Sequence, residues 1–261
     1  MNHNISRLFY ISGDEKPVAS SDKIKFNKNL NEFNHNADAF ESLNNYFVAN
    51  YNSQFELTTN YPGLLLGAGY SYPALKDPDP DNKNDVGDFQ LGFFFDHTTG
   101  LPMLPGSSVK GVLKSVFPKD KFNYRTEKLK YIQDIVAGIT KKDASYIDVS
   151  NWEEIFFGST KTKRKHIFHD AYVSGIKSGC KLFEDDYITP HTKCIFKNPI
   201  PIRFLKVGPG VSFTFQFRLF DYKDNDGNVL LDKNIIKDVF KKILLDWGIG
   251  AKRNVGYGQF K

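Results

Sequence analysis

The 261-residue chain sets 35 Lys and Arg against 30 Asp and Glu, a formal net charge of +5, and holds 24 Phe and 13 Tyr. Such a basic, aromatic-rich composition suits a polyanion, because cations neutralise phosphates while aromatic faces stack on bases; aromatics also fill cores. With Cys180 and Cys194 as the only cysteines, no CxxC, no His pair at zinc spacing and no apolar run near the roughly 20 residues of a membrane span, a disulfide framework, a zinc site and a spanning helix are excluded.

The N-terminus lacks the apolar core and cleavage site of a signal peptide, so the expected location is the cytoplasm. Within residues 1–52, Leu30, Phe33, Ala37, Phe40, Leu43 and Phe47 recur at steps of three and four, one apolar stripe of a helical extension. Residues 53–261 then read as a single domain. "SQFELTTN" alternates like a strand and stops before Pro62, and "PGLLLGAGY" is too short and too glycine-broken for a helix. "PALKDPDPDNKNDVGD" is a polar loop, so an insertion is expected at about 73–88. "LGFFFDHTTGLPML" has the pattern of a hairpin. After Pro105-Gly106, Ser107 or Ser108 is placed to cap a helix whose inner face is Val109, Val112, Leu113 and Val116.

Glu127–Val136 and Asn151–Phe157 read as short helices, and "HIFHDAYVSG" and "VSFTFQFRLF" as strands. In the second strand Val211, Phe213, Phe215, Phe217 and Leu219 share one face. "NIIKDVFKKILLDW" is an amphipathic helix carrying Ile235, Ile236, Val239, Phe240, Ile243, Leu244 and Trp247. Strands and helices mix without a βαβ rhythm, which predicts an α+β fold with an antiparallel sheet.

Four stretches carry candidate chemistry. The first is the tail "DWGIGAKRNVGYGQFK". Its glycines follow a helix, whereas a nucleotide-binding fingerprint precedes one, so a nucleotide cofactor is not expected. Gly248 is placed to end the helix, with the others shaping a turn. The bare amides around Gly250 and Gly256, with Lys252, Arg253 and Asn254, also suit an extended phosphodiester backbone, and both readings hold together. The second is "LPGSSVKG": Ser107, Ser108 and Lys110 stand at a helix start, as a simple cap with a solvated lysine or as an anion site.

The third is "FGSTKTKRKHIFHDA", where Lys163, Arg164 and Lys165 crowd a turn that is either solvated or a phosphate clamp. His169 and Asp170 adjoin it, but successive strand side chains diverge, which favours a packed histidine over an acid–base pair. The fourth, "DYITPHTKCIFKNPIPIRFLKVGPG", puts His191 and Lys193 on a loop without ligand partners at metal spacing, and Asp185-Asp186 on a loop before them.

In this order, "GLPMLPGSSVKGVLKSVF", "IFFGS", "IFHDAYVSG", "ITPH", "PIPIRFLKVGPGVSFTFQF" and "GIGAKRNVGYGQF" resemble the sixth Cmr subunit family, RAMP-superfamily proteins of type III-B CRISPR–Cas effector complexes. The likeness runs from about Phe55 to Lys261. It implies a modified ferredoxin-like (RRM-like) core and a non-catalytic backbone subunit for antiviral defence. Such a subunit would hold guide RNA phosphates near the 3′ end through "PGSSVKG", Lys163–Lys165, His191 and the glycine loop. It further implies other Cmr subunits as partners, leaves contact with target RNA open, and involves neither cofactor nor membrane. Insertions at about 73–88 and 119–150 would then serve subunit contacts or a thumb. Cleavage is assigned by the same resemblance to an aspartate of a different subunit, and no residue here corresponds securely to it. Arg253-Asn254 stands where relatives often carry a small hydroxyl residue after the lysine.

Overall fold

Strict alternation in "VSFTFQFR" gives the molecule its centre. Strand β7 (Val211–Arg218) buries Val211, Phe213, Phe215 and Phe217 on one face, as period-two spacing requires. The structure is a computed structural model describing residues 51–69, 89–96, 99–118, 124–141, 152–158, 166–189, 201–223 and 226–261. The helical extension expected over 1–52, except its last two residues, and the loop insertion at 73–88 lie outside them.

β1 (Ser53–Thr58) pairs antiparallel with β7, so that Phe55 faces Phe215 and Leu57 faces Phe213. On the other side of β7 lie β3 (Ile167–Phe168) and β4 (Ala171–Ile176), and β2 (Met103–Leu104) completes the five-stranded sheet against β4. Every pairing is antiparallel, as expected for this α+β fold. A separate hairpin joins β5 (Phe183–Ile188) to β6 (Ile202–Val207), and short β8 (Tyr222–Lys223) and β9 (Val229–Leu231) form another. Asp185 and Asp186, expected on a loop, therefore stand on β5, whose pairing with β6 satisfies the backbone that the acidic sequence leaves ambiguous.

Among the described residues four α-helices follow from the apolar patterns: α1 (Gly106–Ser115), α2 (Arg125–Thr140), α3 (Trp152–Phe157) and α4 (Lys233–Trp247). Asp232 caps α4 by accepting from the Asn234 amide at 2.7 Å. The α4 stripe of Ile236, Val239, Phe240, Ile243 and Leu244 is buried, and the Phe240 ring meets Phe217, Phe168, Phe157 and Phe156 at centroid distances of 5.5 to 5.9 Å. Burying a ring of this size contributes about 1.5–3 kcal/mol, so this aromatic cluster dominates the core.

Two expectations are corrected here. Trp247, assigned to the buried stripe, is 44% exposed at the last position of α4. Pro105, rather than Ser107 or Ser108, caps α1, and neither serine makes a capping bond. The helix expected at Glu127–Val136 is α2, which places Ile132, Ile135 and Val136 in the core. Among the described residues no helix is long and apolar enough to cross a membrane.

Candidate nucleic-acid interface

The interface grows from the end of α4. Gly248 stops the helix, its amide still bonded to the Leu244 carbonyl at 3.0 Å. The chain then threads along two other segments. Ile249 bonds to the Gly258 carbonyl (2.9 Å), Gly258 donates to Gly63 (2.8 Å), and Ala251 donates to Leu65 (2.9 Å). Gly250 adopts φ +97°, and a Cβ there would stand 2.7 Å from the Leu65 carbonyl oxygen, so only glycine lets these backbones approach. Lys252 enters a single 3-10 turn, Arg253–Val255, with φ 57°, and Gly256 leaves it.

"GLLLGAG" thus becomes the partner of the glycine loop. Its sequence, too short and too glycine-broken for a helix, assigns it no role. Its signal was the spacing of Gly63, Gly67 and Gly69, the same mark of close backbone approach as in the tail. Leu64 also bridges to Val207, which ties the segment to β6.

Between this segment, α1 and the glycine loop runs an open groove of about 630 Å³. Its walls include Leu66 and Gly67, Ser108, Gly111 and Ser115 of α1, and Gly250 and Arg253 of the loop. Ser108, Gly111 and Ser115 fall at steps of three and four, so one stripe of α1 faces the opening. The floor is apolar, with Phe94, Val112 and Ile249. Arg253 lines the groove while its Nη1 donates to the Trp247 carbonyl at 3.2 Å, which uses one of the five N–H donors of the guanidinium.

Of the residues singled out from sequence, Ser108, Gly250 and Arg253 come together in the groove. Ser107, Lys252 and Asn254 are exposed beside it, and Gly256 donates to the Arg253 carbonyl at 3.1 Å. Lys110 points elsewhere: its ammonium rests 5.4 Å from the centre of the Phe168 ring. Lys163, Arg164, Lys165 and His191 lie outside the described residues.

The start of α1 is occupied by the protein's own anion. Asp170 Oδ1 accepts from the Gly106 amide at 2.7 Å, filling the place that sequence reading offered to a ligand. Tyr172 donates to the same carboxylate. Burial first, then the Asp170 charge, pushes its phenol up to about 12. His169, in the link between β3 and β4, holds its backbone to Gln216, and its buried Nε2 has no partner among the described residues. His166 is committed structurally: Nδ1 accepts from the Phe220 amide (3.2 Å), so Nε2 carries the proton donated to the Ile155 carbonyl (2.9 Å). Burial lowers its pKa and keeps it neutral.

A polar network fixes the glycine loop from the other side. Lys206, 5% exposed on β6, donates to Asp186 Oδ2 at 2.8 Å and lies 3.6 Å from Glu184. The Tyr257 hydroxyl donates to that same Asp186 oxygen at 2.8 Å. Burial acts to raise the Asp186 pKa, but the bonds from Lys206, Tyr257 and the Tyr187 amide prevail and hold it below the usual carboxylate value. Tyr257 is pushed well above the ordinary phenol range by burial and by Asp186, so its proton stays in place as donor. Sequence reading missed this network, since Lys206 and Tyr257 are far apart in the chain.

Comparison with known proteins agrees with this architecture. A curated Streptococcus thermophilus protein, CRISPR system Cms endoribonuclease Csm3, is 26% identical over 221 residues, covering 80% of this chain and 84% of its own length. A chain in the cryo-EM structure of the Type III-B Cmr-beta bound to cognate target RNA superposes with TM-score 0.52 at 24% identity, over 97% of this chain and 78% of that one. That likeness speaks for the fold. A crystal structure of Cmr6 from Pyrococcus furiosus gives TM-score 0.44 at 20% identity, over 80% of this chain and 96% of that chain. The RAMP superfamily model matches residues 56–261, which run from within β1 to the glycine loop and so include every wall of the groove. The chain belongs to the RAMP superfamily.

Proposed function

We propose that this protein is a non-catalytic backbone subunit of a type III-B CRISPR effector complex, of the sixth Cmr subunit kind. It holds guide RNA backbone near the 3′ end, closes the filament and contacts neighbouring Cmr subunits. The observation that carries this reading is the meeting of "PGSSVKG" and the glycine loop in one groove. Hydroxyls, bare amides and a guanidinium suit phosphate and ribose without base preference. Pairing of guide with target would then supply sequence, as in other RNA-guided effectors. The resemblances in family and fold support the assignment to type III complexes.

The test is the salt dependence of guide RNA binding. Lys252→Ala and Arg253→Ala are each expected to reduce the slope of log affinity against log salt by about one unit. Lys110→Ala is expected to leave it nearly unchanged, since its ammonium rests on Phe168. Unchanged slopes for both loop variants would sink the phosphate assignment.

The relative named as an endoribonuclease favours a second reading, a metal-independent enzyme that processes guide RNA with a histidine base. It predicts cleavage of repeat RNA without divalent metal, abolished by His169→Ala or His191→Ala.

A further inference from the structure

The amphipathic pattern of α4 calls for Trp247 to be buried, yet its ring is 44% exposed. The chain's other tryptophan, Trp152, is 1% exposed. A large aromatic left half in water at the end of an otherwise buried stripe costs hydrophobic stabilisation that packing against the sheet would have supplied. Its neighbours hold it in place. The Tyr131 ring of α2 meets it edge to face at 6.2 Å, and the Tyr131 hydroxyl donates to Asp246 Oδ2 at 2.8 Å. Lys242 pairs with the other oxygen of Asp246 at 2.6 Å, so the carboxylate nearest the rings is neutralised. Two neighbouring aromatic rings with a fixed hydroxyl form a preorganised surface, with little rotamer entropy left to lose on binding.

The same residue touches the groove chemistry. Trp247 gives its carbonyl to Arg253, the guanidinium that lines the groove. Lys128 of α2 donates to the carbonyl of Ser115, the last groove-lining residue of α1, at 2.8 Å. Trp247 therefore ends the helix that leads into the glycine loop, and its backbone carbonyl is joined directly to the guanidinium that lines the groove. Phosphates bound at Arg253 would bring a base within reach of an indole face.

We propose that Trp247, braced by Tyr131, is a stacking platform for an unpaired nucleobase of a strand whose phosphates lie at Arg253. This rests on the RNA-binding reading and adds to it a contact with a base rather than with the backbone. It is blind to base identity, because every base presents a π face.

The chain carries its own reporter. With the full-length protein, short single-stranded oligouridylate is expected to quench part of the tryptophan emission, and an abasic ribose-phosphate oligomer of equal length to bind without quenching. Trp247→Leu leaves only buried Trp152, so quenching should vanish and oligouridylate affinity fall about tenfold, with the salt slope unchanged. Trp247→Tyr, which keeps a π face, should restore most of the affinity. Thermal melting of both variants checks that the fold is intact. Undiminished affinity of Trp247→Leu together with slopes that Arg253→Ala still lowers would overturn the platform and leave the phosphate reading standing. Absence of salt-dependent binding to either oligomer would overturn both. A Trp247 emission change that requires another subunit rather than RNA would make the ring a protein contact and overturn the proposal as well.

Discussion

Asp186 shows how one side chain holds two parts of the molecule together. Its Oδ2 receives both the Lys206 ammonium from β6 and the Tyr257 hydroxyl from the glycine loop. Lys206 is almost wholly buried, and a buried cation without its partner is costly. Asp186→Asn removes the charge while keeping the shape, and Glu184 at 3.6 Å compensates only in part. We expect a loss of about 1–3 kcal/mol at neutral pH, read as a lower thermal midpoint. The pH dependence has a definite sign. A carboxyl held below its unfolded pKa contributes stability that is complete above the unfolded value, near 4, and lost as pH falls through the lower folded value. The gap between wild type and Asp186→Asn should therefore be widest at neutral pH and close in acid below about pH 4. A gap that stays constant into acid would contradict the assignment.

At the scale of elements, the glycine loop and α1 respond in opposite ways to the same substitution. Gly258 has φ +75°, and a Cβ there would run into the Ile249 carbonyl oxygen, so Gly258→Ala strains both the dihedral and the contact that closes the loop. A cost of about 1–3 kcal/mol follows. Gly111, by contrast, lies inside α1, and a Cβ would meet nothing within 4 Å. Gly111→Ala should stabilise the helix by about 0.5–1 kcal/mol, while its methyl enters the groove that α1 lines. Thermal denaturation of the two variants checks the pair, and equal shifts would mean the loop is less tightly packed than its backbone bonds indicate. Much at this scale was legible in the sequence. Period-two and period-3.6 patterns located β1, β7, α1 and α4, since burial on one face imposes them directly. The β5–β6 hairpin was not, because "FEDDYI" carries too much charge to read as a strand until Lys206 and Arg203 stand opposite.

At the scale of the whole molecule, the chain belongs to the RAMP superfamily and is similar to a type III CRISPR protein, Csm3, and the rival readings differ in what the protein does to RNA. A backbone subunit is expected to leave labelled repeat RNA intact in the absence of divalent metal, and to co-purify with guide RNA and other Cmr proteins. Cleavage lost in His169→Ala or His191→Ala would decide for the enzyme.

The sequence alone determined the fold class and two of the three stretches that build the groove. Apolar periodicity encodes burial locally, and glycines clustered beside cations and serines report close backbone approach wherever the chain later meets itself. Only the tertiary structure decided how those stretches are used. It gave the start of α1 to Asp170, turned Lys110 onto Phe168, brought "GLLLGAG" into the groove wall and left Trp247 in the open. Each outcome depends on a partner distant in the chain, and a pairing between distant residues leaves no trace in the local pattern of either one.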